Sequence, residues 1–163
     1  SATLAAEIGL PFAFASHFAP ELLHEALHIY RTQFRPSPQL DKPHVMVGVN
    51  VFAADTDAEA KRLFTSLQQV FLNLIRGWPK QLAAPVDDIE GLWNPVEASQ
   101  VQRMTRCSAV GGLDTFRKQI ESLLKETQAD ELIATAHIHD QQARLRSFEI
   151  AADVFKDLQR SRS

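Results

Sequence analysis

The sequence has 163 residues, of which 45% are hydrophobic and 23% charged, and its formal net charge at pH 7 is -3. This composition predicts one soluble globular domain over residues 1–163. The slight acidity gives no reason to expect the basic surfaces typical of proteins that bind nucleic acid or anionic membranes. No apolar run is long enough to span a membrane, and the single cysteine, Cys107, excludes an internal disulfide and favours a cytoplasmic location.

The first half of the chain predicts three helices and two strands. A short helix precedes Gly9, which is a typical C-terminal stop. The run GLPFAFASHF has the length and composition of a strand buried on both faces. Pro20 opens an amphipathic helix, and the β-branched run from Val45 to Phe52 predicts a second buried strand. Thr56 and Glu59 form the capping-box pattern that starts a third helix.

The second half predicts an insertion, two further helices, a third strand and a terminal helix. Residues 77–95 contain three prolines and no sustained periodicity, which indicates a long insertion loop. Asn94 caps a short helix. The run AVGG predicts a tight turn into the next helix, since it lacks the spacing of phosphate-binding loops. A strand is expected from Glu131 to Ile138, followed by a terminal helix capped by Asp140.

The alternation of helices and strands predicts an α/β fold built from right-handed parallel βαβ units. Three strands cannot close a barrel, and a complete (β/α)₈ barrel takes about 250 residues. The sequence therefore predicts an incomplete (β/α)₈ TIM barrel, made of C-terminal βα units, whose open sheet edges must be covered.

Polar and aromatic residues at the carboxyl ends of the three predicted strands define a candidate site, because parallel strands end at the same edge of a sheet. These residues are Ser16, His17, Asn50, Phe52, His137 and His139. His17 could act as a general base or a hydrogen-bond donor, or could simply bond a neighbouring loop. A zinc site formed by the three histidines, with Asp55 or Asp140, is a further alternative.

Two long segments, and a short one between them, resemble the bacterial luciferase-like flavin monooxygenases. The segment SATLAAEIGLPFAFASHFAPELLHEALHIYRTQFRPS resembles the region around the sixth strand of that family, and ADELIATAHIHDQQARLRSFEIAADVF resembles its final strand and helix. Between them, VGGLDTF stands where the family usually has a Gly-Ser-Pro-Glu helix start, with Gly112 in place of serine and Leu113 in place of proline. By this resemblance the chain corresponds to the C-terminal portion of the family's (β/α)₈ barrel.

The resemblance implies chemistry with reduced flavin and O₂ on a small organic substrate. The flavin is commonly FMN supplied by a separate NAD(P)H-dependent reductase, and a deazaflavin is the alternative. Ser1 and Ala2 correspond to the end of a turn that helps to hold the flavin phosphate. Ser16 and His17 would lie near the isoalloxazine ring, with His17 in the catalytic role.

The resemblance also assigns the neighbouring side chains. Phe12 and Phe14 would pack the barrel, while Asn50, Phe52 and His137 would line the substrate pocket. The amino-terminal strands that carry much of the family's flavin pocket have no counterpart in this sequence. An alternative function is therefore a non-catalytic module that forms a homo-oligomer through its open sheet edges.

Overall fold

Four parallel strands form the sheet of the computed structural model, which describes residues 1–162. The strands are β1 (Phe12–Phe14), β2 (Val45–Ala53), β3 (Ser108–Gly111) and β4 (Glu131–Thr135). The helices are α1 (Ala2–Ile8), α2 (Leu23–Gln33), α3 (Asp57–Ile75), α4 (Pro95–Met104), α5 (Leu113–Thr127) and α6 (Gln141–Arg162). Short 3₁₀ turns lie at Pro20–Leu22 and Glu90–Leu92, the second inside the predicted insertion loop. The predicted α/β class and parallel strand direction are confirmed.

Strand β2 is the centre of the sheet and pairs with the other three strands. On one edge it pairs with β1 through residues 45–47 and with β3 through residues 50–53. The opposite edge pairs with β4 through residues 46–50. Backbone bonds fix this assignment: the His44 carbonyl accepts from Phe12, whereas the Val45 carbonyl accepts from Asp130. Because β1 and β3 follow each other along one edge, four strands make a sheet only three strands wide.

The two faces of β2 have different environments because successive side chains point to opposite sides. Val45, Val47, Val49 and Val51 are buried against helices on one face. The opposite face, here called the inner face, carries the residues in register with Met46, Gly48 and Asn50. These are Ala13, Ser108, Glu131, Ile133 and Thr135.

Phe12 lies on the helix side of the sheet. Its ring centroid is 5.2 Å from that of Tyr30 in α2, and its cross-strand partner is Val45. Phe14 is in register with Val47 and lies against the same cluster. The expectation that these rings pack the barrel is therefore corrected in one respect: they fill the layer between sheet and helices, and the inner face has Ala13 instead.

Strand β3 was not predicted, since AVGG was interpreted only as a turn. It pairs with β2 from Ser108 to Gly111, and its outer edge is closed by a side chain. Gln119 of α5 accepts from the Val110 N–H at 2.7 Å and donates to the Val110 carbonyl at 3.0 Å. The amide side chain thus takes the place of a neighbouring strand.

Strand β4 ends at Thr135, three residues earlier than predicted, because the partner edge of β2 is then occupied by α6. There, Ser147 accepts from the Ala53 N–H at 3.0 Å and donates to the Val51 carbonyl at 3.2 Å. Asp140 caps this helix as predicted, accepting from the Ala143 N–H at 2.8 Å. Within residues 1–162 no helix combines the length and apolarity needed to cross a bilayer.

Candidate functional site

Ser16 lies just after β1, at the point where this edge of β2 passes from β1 to β3. Its side chain is completely buried, and its hydroxyl donates to the Gly48 carbonyl at 2.6 Å. The hydroxyl thereby satisfies a backbone acceptor that neither strand reaches. Cys107 is also close: burial raises the pKa of its thiol, and a hydrogen bond with Ser16 partly offsets that rise. This thiol therefore remains protonated at neutral pH.

Asn50 connects the ends of all three neighbouring strands. Its amide nitrogen donates to the His17 carbonyl at 2.8 Å and to the Ser108 hydroxyl at 3.3 Å. Its side-chain oxygen accepts from the Thr135 hydroxyl at 3.0 Å. The residue has no exposed surface. With both its donor and acceptor groups occupied by protein, Asn50 forms the wall behind the site and fixes the backbone of His17.

The imidazole of His17 packs against Gly48 on the inner face. A Cβ added at Gly48 would overlap the Nδ1 atom of His17, so only glycine allows this approach. His137 lies near the same ring. Partial burial lowers the pKa of His137, and the positive charge of a protonated His17 lowers it further. The neutral form of the His137 ring is therefore favoured.

The remaining predicted site residues, Phe52, His139, Ser1 and Ala2, differ in their burial and contacts. Phe52 has no exposed surface and packs against Phe64 of α3, with ring centroids 5.1 Å apart. His139 is exposed beyond the end of β4. Ser1 is the N-cap of α1 and makes no side-chain cap, while Ala2 is buried in the helix-side core.

The start of α1 nevertheless lies toward the same end of the sheet as His17. Helices α1 and α2 both finish at the opposite end, where Arg35 N–H donates to the Ala6 carbonyl at 2.9 Å. Since α1 runs antiparallel to β1, Ser1 and Ala2 begin that helix near the carboxyl edge of the strands.

A carboxylate from α3 caps the start of α5, directly after β3. Asp57 accepts from the Gly112 N–H at 2.7 Å and from the Thr115 hydroxyl at 2.9 Å. These bonds lower the pKa of Asp57, led by the one to Gly112. The carboxylate takes the position at the start of α5 that an anion would need, and it replaces the cap that Gly112 itself cannot supply.

The acids considered for a zinc site have other partners. Asp55 pairs with Arg146 at 2.8 Å, and Asp140 caps α6. Across residues 1–162 no group of three or more His, Cys, Asp or Glu side chains is arranged to hold a metal ion. Among the described residues, His17 and His137 therefore lack the accompanying acidic side chain that would have distinguished a zinc site.

Three residues of the site were not predicted from the sequence, namely Gly48, Ser108 and Thr135. Each depends on register: Thr135 pairs with Asn50 across the sheet, and Ser108 pairs with it from the other side. The alternation of Thr135 with His137 was a usable signal, because it places both on one face of the strand predicted from Glu131 to Ile138. No sequence pattern indicates the role of Gly48, because that role is to leave room for the His17 ring.

A flavin ring fits these residues better than a flavin phosphate does. The inner face offers hydrogen-bonding groups from His17 and His137 beside the exposed apolar side chain of Ile133, which suits a planar heteroaromatic ring. The candidate set contains no lysine or arginine, and its only residues near a helix start are Ser1 and Ala2.

Comparisons with known proteins identify the family and the fold of the chain. The family model described as luciferase-like monooxygenase matches residues 1–131. A luciferase-like monooxygenase from Escherichia coli (strain K12) is 49% identical over 158 residues, which cover 97% of this chain and 47% of that protein. The crystal structure of apo-MsnO8 superposes with a TM-score of 0.76 at 28% identity, covering 95% of this chain and 47% of the other.

The fold extends to a more distant solved structure, the oxygenating constituent of 3,6-diketocamphane monooxygenase from Pseudomonas putida in complex with FMN. It superposes with a TM-score of 0.54 at 22% identity, covering 92% of this chain and 43% of that one. The chain thus spans about half the length of the relatives it matches. On the family match and the shared fold, the chain belongs to the luciferase-like monooxygenase family.

Proposed function

We propose that the chain forms part of a flavin-dependent monooxygenase and contributes to the wall of its flavin and substrate site. The observation that carries this proposal is the convergence of His17, Asn50, Thr135 and His137 at the carboxyl edge of a parallel sheet. In α/β barrels this edge is where ligands bind. Family membership supplies the reaction class, and the FMN complex of the camphane monooxygenase supports the choice of flavin.

Each site residue has a defined part in this proposal. His17 and His137 contact the ring or the substrate from the inner face, and Ser16 holds the backbone beneath them. Asn50 and Phe52 form the wall behind the pocket, while Ser1 and Ala2 lie toward the phosphate. Reduced flavin, when bound, would supply the electrons that activate O₂, and the protein positions the ring and excludes water.

Such chemistry also needs a source of reduced flavin and an organic substrate. Reduced FMN, with a deazaflavin as the alternative, comes from a separate flavin reductase, and the acceptor of oxygen is a small organic molecule. A cytoplasmic location is part of the same proposal, because there the buried thiol of Cys107 persists in its reduced form.

An FMN titration tests the proposal directly. Flavin fluorescence and absorbance are followed with oxidised FMN, and anaerobic absorbance with reduced FMN. We expect saturable micromolar binding that weakens about tenfold in His17→Ala, which corresponds to about 1.4 kcal/mol. The control is His28→Ala, since His28 is exposed on α2 and should leave binding unchanged. Equal binding by both variants, or none by the wild type, would refute the proposed site.

A second candidate function is a non-catalytic module that self-associates through its open sheet edges. Within residues 1–162, β1 and β4 each pair only with β2, so each keeps one unpaired edge. Leu4 of α1 is 60% exposed and Ile133 on the inner face is 45% exposed. Uncovered apolar area costs about 25 cal/mol per Å². These surfaces therefore favour association.

Light scattering coupled to size-exclusion chromatography tests the second candidate. Self-association predicts a concentration-dependent mass of at least two chains, reduced by Ile133→Lys, which places a charge on the exposed inner face. Because each sheet is three strands wide, two copies supply six strand positions, short of the eight in a closed TIM barrel. A monomer at all concentrations would overturn this candidate.

A further inference from the structure

The geometry points to His17 as a fixed hydrogen-bond donor that presents its Nε2–H to an acceptor atom of the bound ligand, with Gly48 as the positioning residue. Only the identity of the ligand as a flavin rests on the proposed function. A donor needs a proton on Nε2, whereas a general base would need the same atom to be unprotonated. Neither the fold nor the family match decides between these two roles for His17.

The imidazole of His17 stands edge-on to the inner face of β2. Its Nδ1 atom is the one nearest to the position that a Cβ at Gly48 would occupy. The two ring atoms bonded to Nδ1, which are Cγ and Cε1, are both 3.2 Å from that position. This symmetry means that Nδ1 points at the glycine, so Nε2 lies on the far edge of the ring, directed away from the strand.

The environment of Nδ1 determines which nitrogen carries the proton. Nδ1 is buried and makes no hydrogen bond within residues 1–162. The Gly48 contact is too close to admit a bridging water, since even a methyl group would overlap the ring. A buried N–H without an acceptor costs about 1–3 kcal/mol. A lone pair facing the Gly48 Cα–H costs less and can form a weak C–H···N contact. The neutral ring therefore keeps its proton on Nε2.

The backbone of His17 is held as firmly as its ring. Asn50 donates to the His17 carbonyl at 2.8 Å, and Ser16 is bonded to the Gly48 carbonyl at 2.6 Å. These two bonds tie both sides of the contact to β2. The resulting donor has a fixed direction, which suits a carbonyl oxygen or an unprotonated ring nitrogen of a planar ligand.

Two-bond ¹H–¹⁵N correlation spectra of the histidine-labelled chain, recorded at pH 8 without flavin, test the tautomer. The signals of His17 are assigned by their loss in His17→Gln. We expect the pattern of a ring protonated at Nε2 and unprotonated at Nδ1. A ring protonated at Nδ1, or an equal mixture of tautomers, would overturn the inference even if FMN binds. Because this readout needs no ligand, it is separate from the test of flavin binding.

Variants at His17 test the donor role with FMN as the probe. The amide nitrogen of glutamine reaches the position of Nε2, so His17→Gln should bind FMN within about threefold of the wild type. His17→Leu has no donor and should bind about tenfold more weakly, as expected for the loss of one hydrogen bond. Equal affinities of the glutamine and leucine variants, at wild-type or reduced level, would overturn the donor role.

Gly48→Ala tests the positioning role. The added methyl group must displace the His17 ring, so we expect a mixture of tautomers and FMN binding weakened about tenfold. Gly91→Ala is the matched control, because the nearest atom to its added Cβ is 3.9 Å away. An unchanged His17 spectrum in a folded Gly48→Ala variant would refute the role of Gly48. If that variant does not fold, the tautomer of the wild-type ring still decides the inference.

Discussion

Ser147 provides a sharp test of how β2 is held beyond the end of β4. Its hydroxyl is completely buried and makes two hydrogen bonds to β2, accepting from Ala53 at 3.0 Å and donating to Val51 at 3.2 Å. Replacement by alanine removes only one oxygen atom, so it creates little cavity. It leaves a buried N–H and a buried carbonyl without partners in a position that water does not reach.

We expect Ser147→Ala to lower the free energy of unfolding by about 2 kcal/mol, since an unsatisfied buried backbone group costs about 1–3 kcal/mol. For a chain of this size that corresponds to a fall in Tm of roughly 4–8 °C. Urea denaturation followed by circular dichroism measures the change. The control is Ser161→Ala on the same helix, whose hydroxyl bonds the Leu158 carbonyl in an exposed position. A loss in Ser147→Ala no larger than in Ser161→Ala would refute the reasoning.

Three further contacts give testable consequences. Gln119→Leu should expose the outer edge of β3, accelerating hydrogen exchange at the Val110 amide and lowering stability by about 1 kcal/mol. Asp57→Ala should lower the urea midpoint more than Asp114→Ala, and because the folded pKa of Asp57 is lowered, the difference should vanish as pH falls through that pKa. Arg76 lowers the pKa of Glu97 to about 2. The difference in free energy of unfolding between the wild type and Glu97→Gln should therefore be fully present above pH 4.5 and lost near pH 2.

Local patterns in the sequence predicted the elements whose ends depend on local chemistry. Gly9 ends α1 with a φ of 66°, which glycine adopts without strain. Thr56 caps α3 by accepting from the Glu59 N–H at 3.1 Å. Asn94 and Glu97 complete a capping box at the start of α4. In each of these cases the residues that make the contact lie within one turn of each other, so their spacing along the chain carries the information.

Features that depend on pairing between distant segments were not predicted. Strand β3 has four residues and is followed at once by Gly112, so no periodicity marks it as a strand. The carboxylate that caps α5 is Asp57, which lies 55 residues before Gly112. The proximity of His17 to Asn50 and His137 was predicted, because parallel strands end together. The bonds of Asn50 to Ser108 and Thr135 required the register of the sheet.

The position of the site follows from the change of strands along one edge of β2. Strand β1 leaves that edge after Val47 and β3 joins it at Asn50, so Gly48 lies in a gap between the two. A gap in a parallel sheet exposes backbone groups that require polar partners. Ser16 supplies one such partner to the Gly48 carbonyl, and Asn50 turns its side chain back to the carbonyl of His17. The small residue that keeps the gap open is also the residue on which the His17 ring rests, so the discontinuity in the sheet and the orientation of the histidine have the same structural cause.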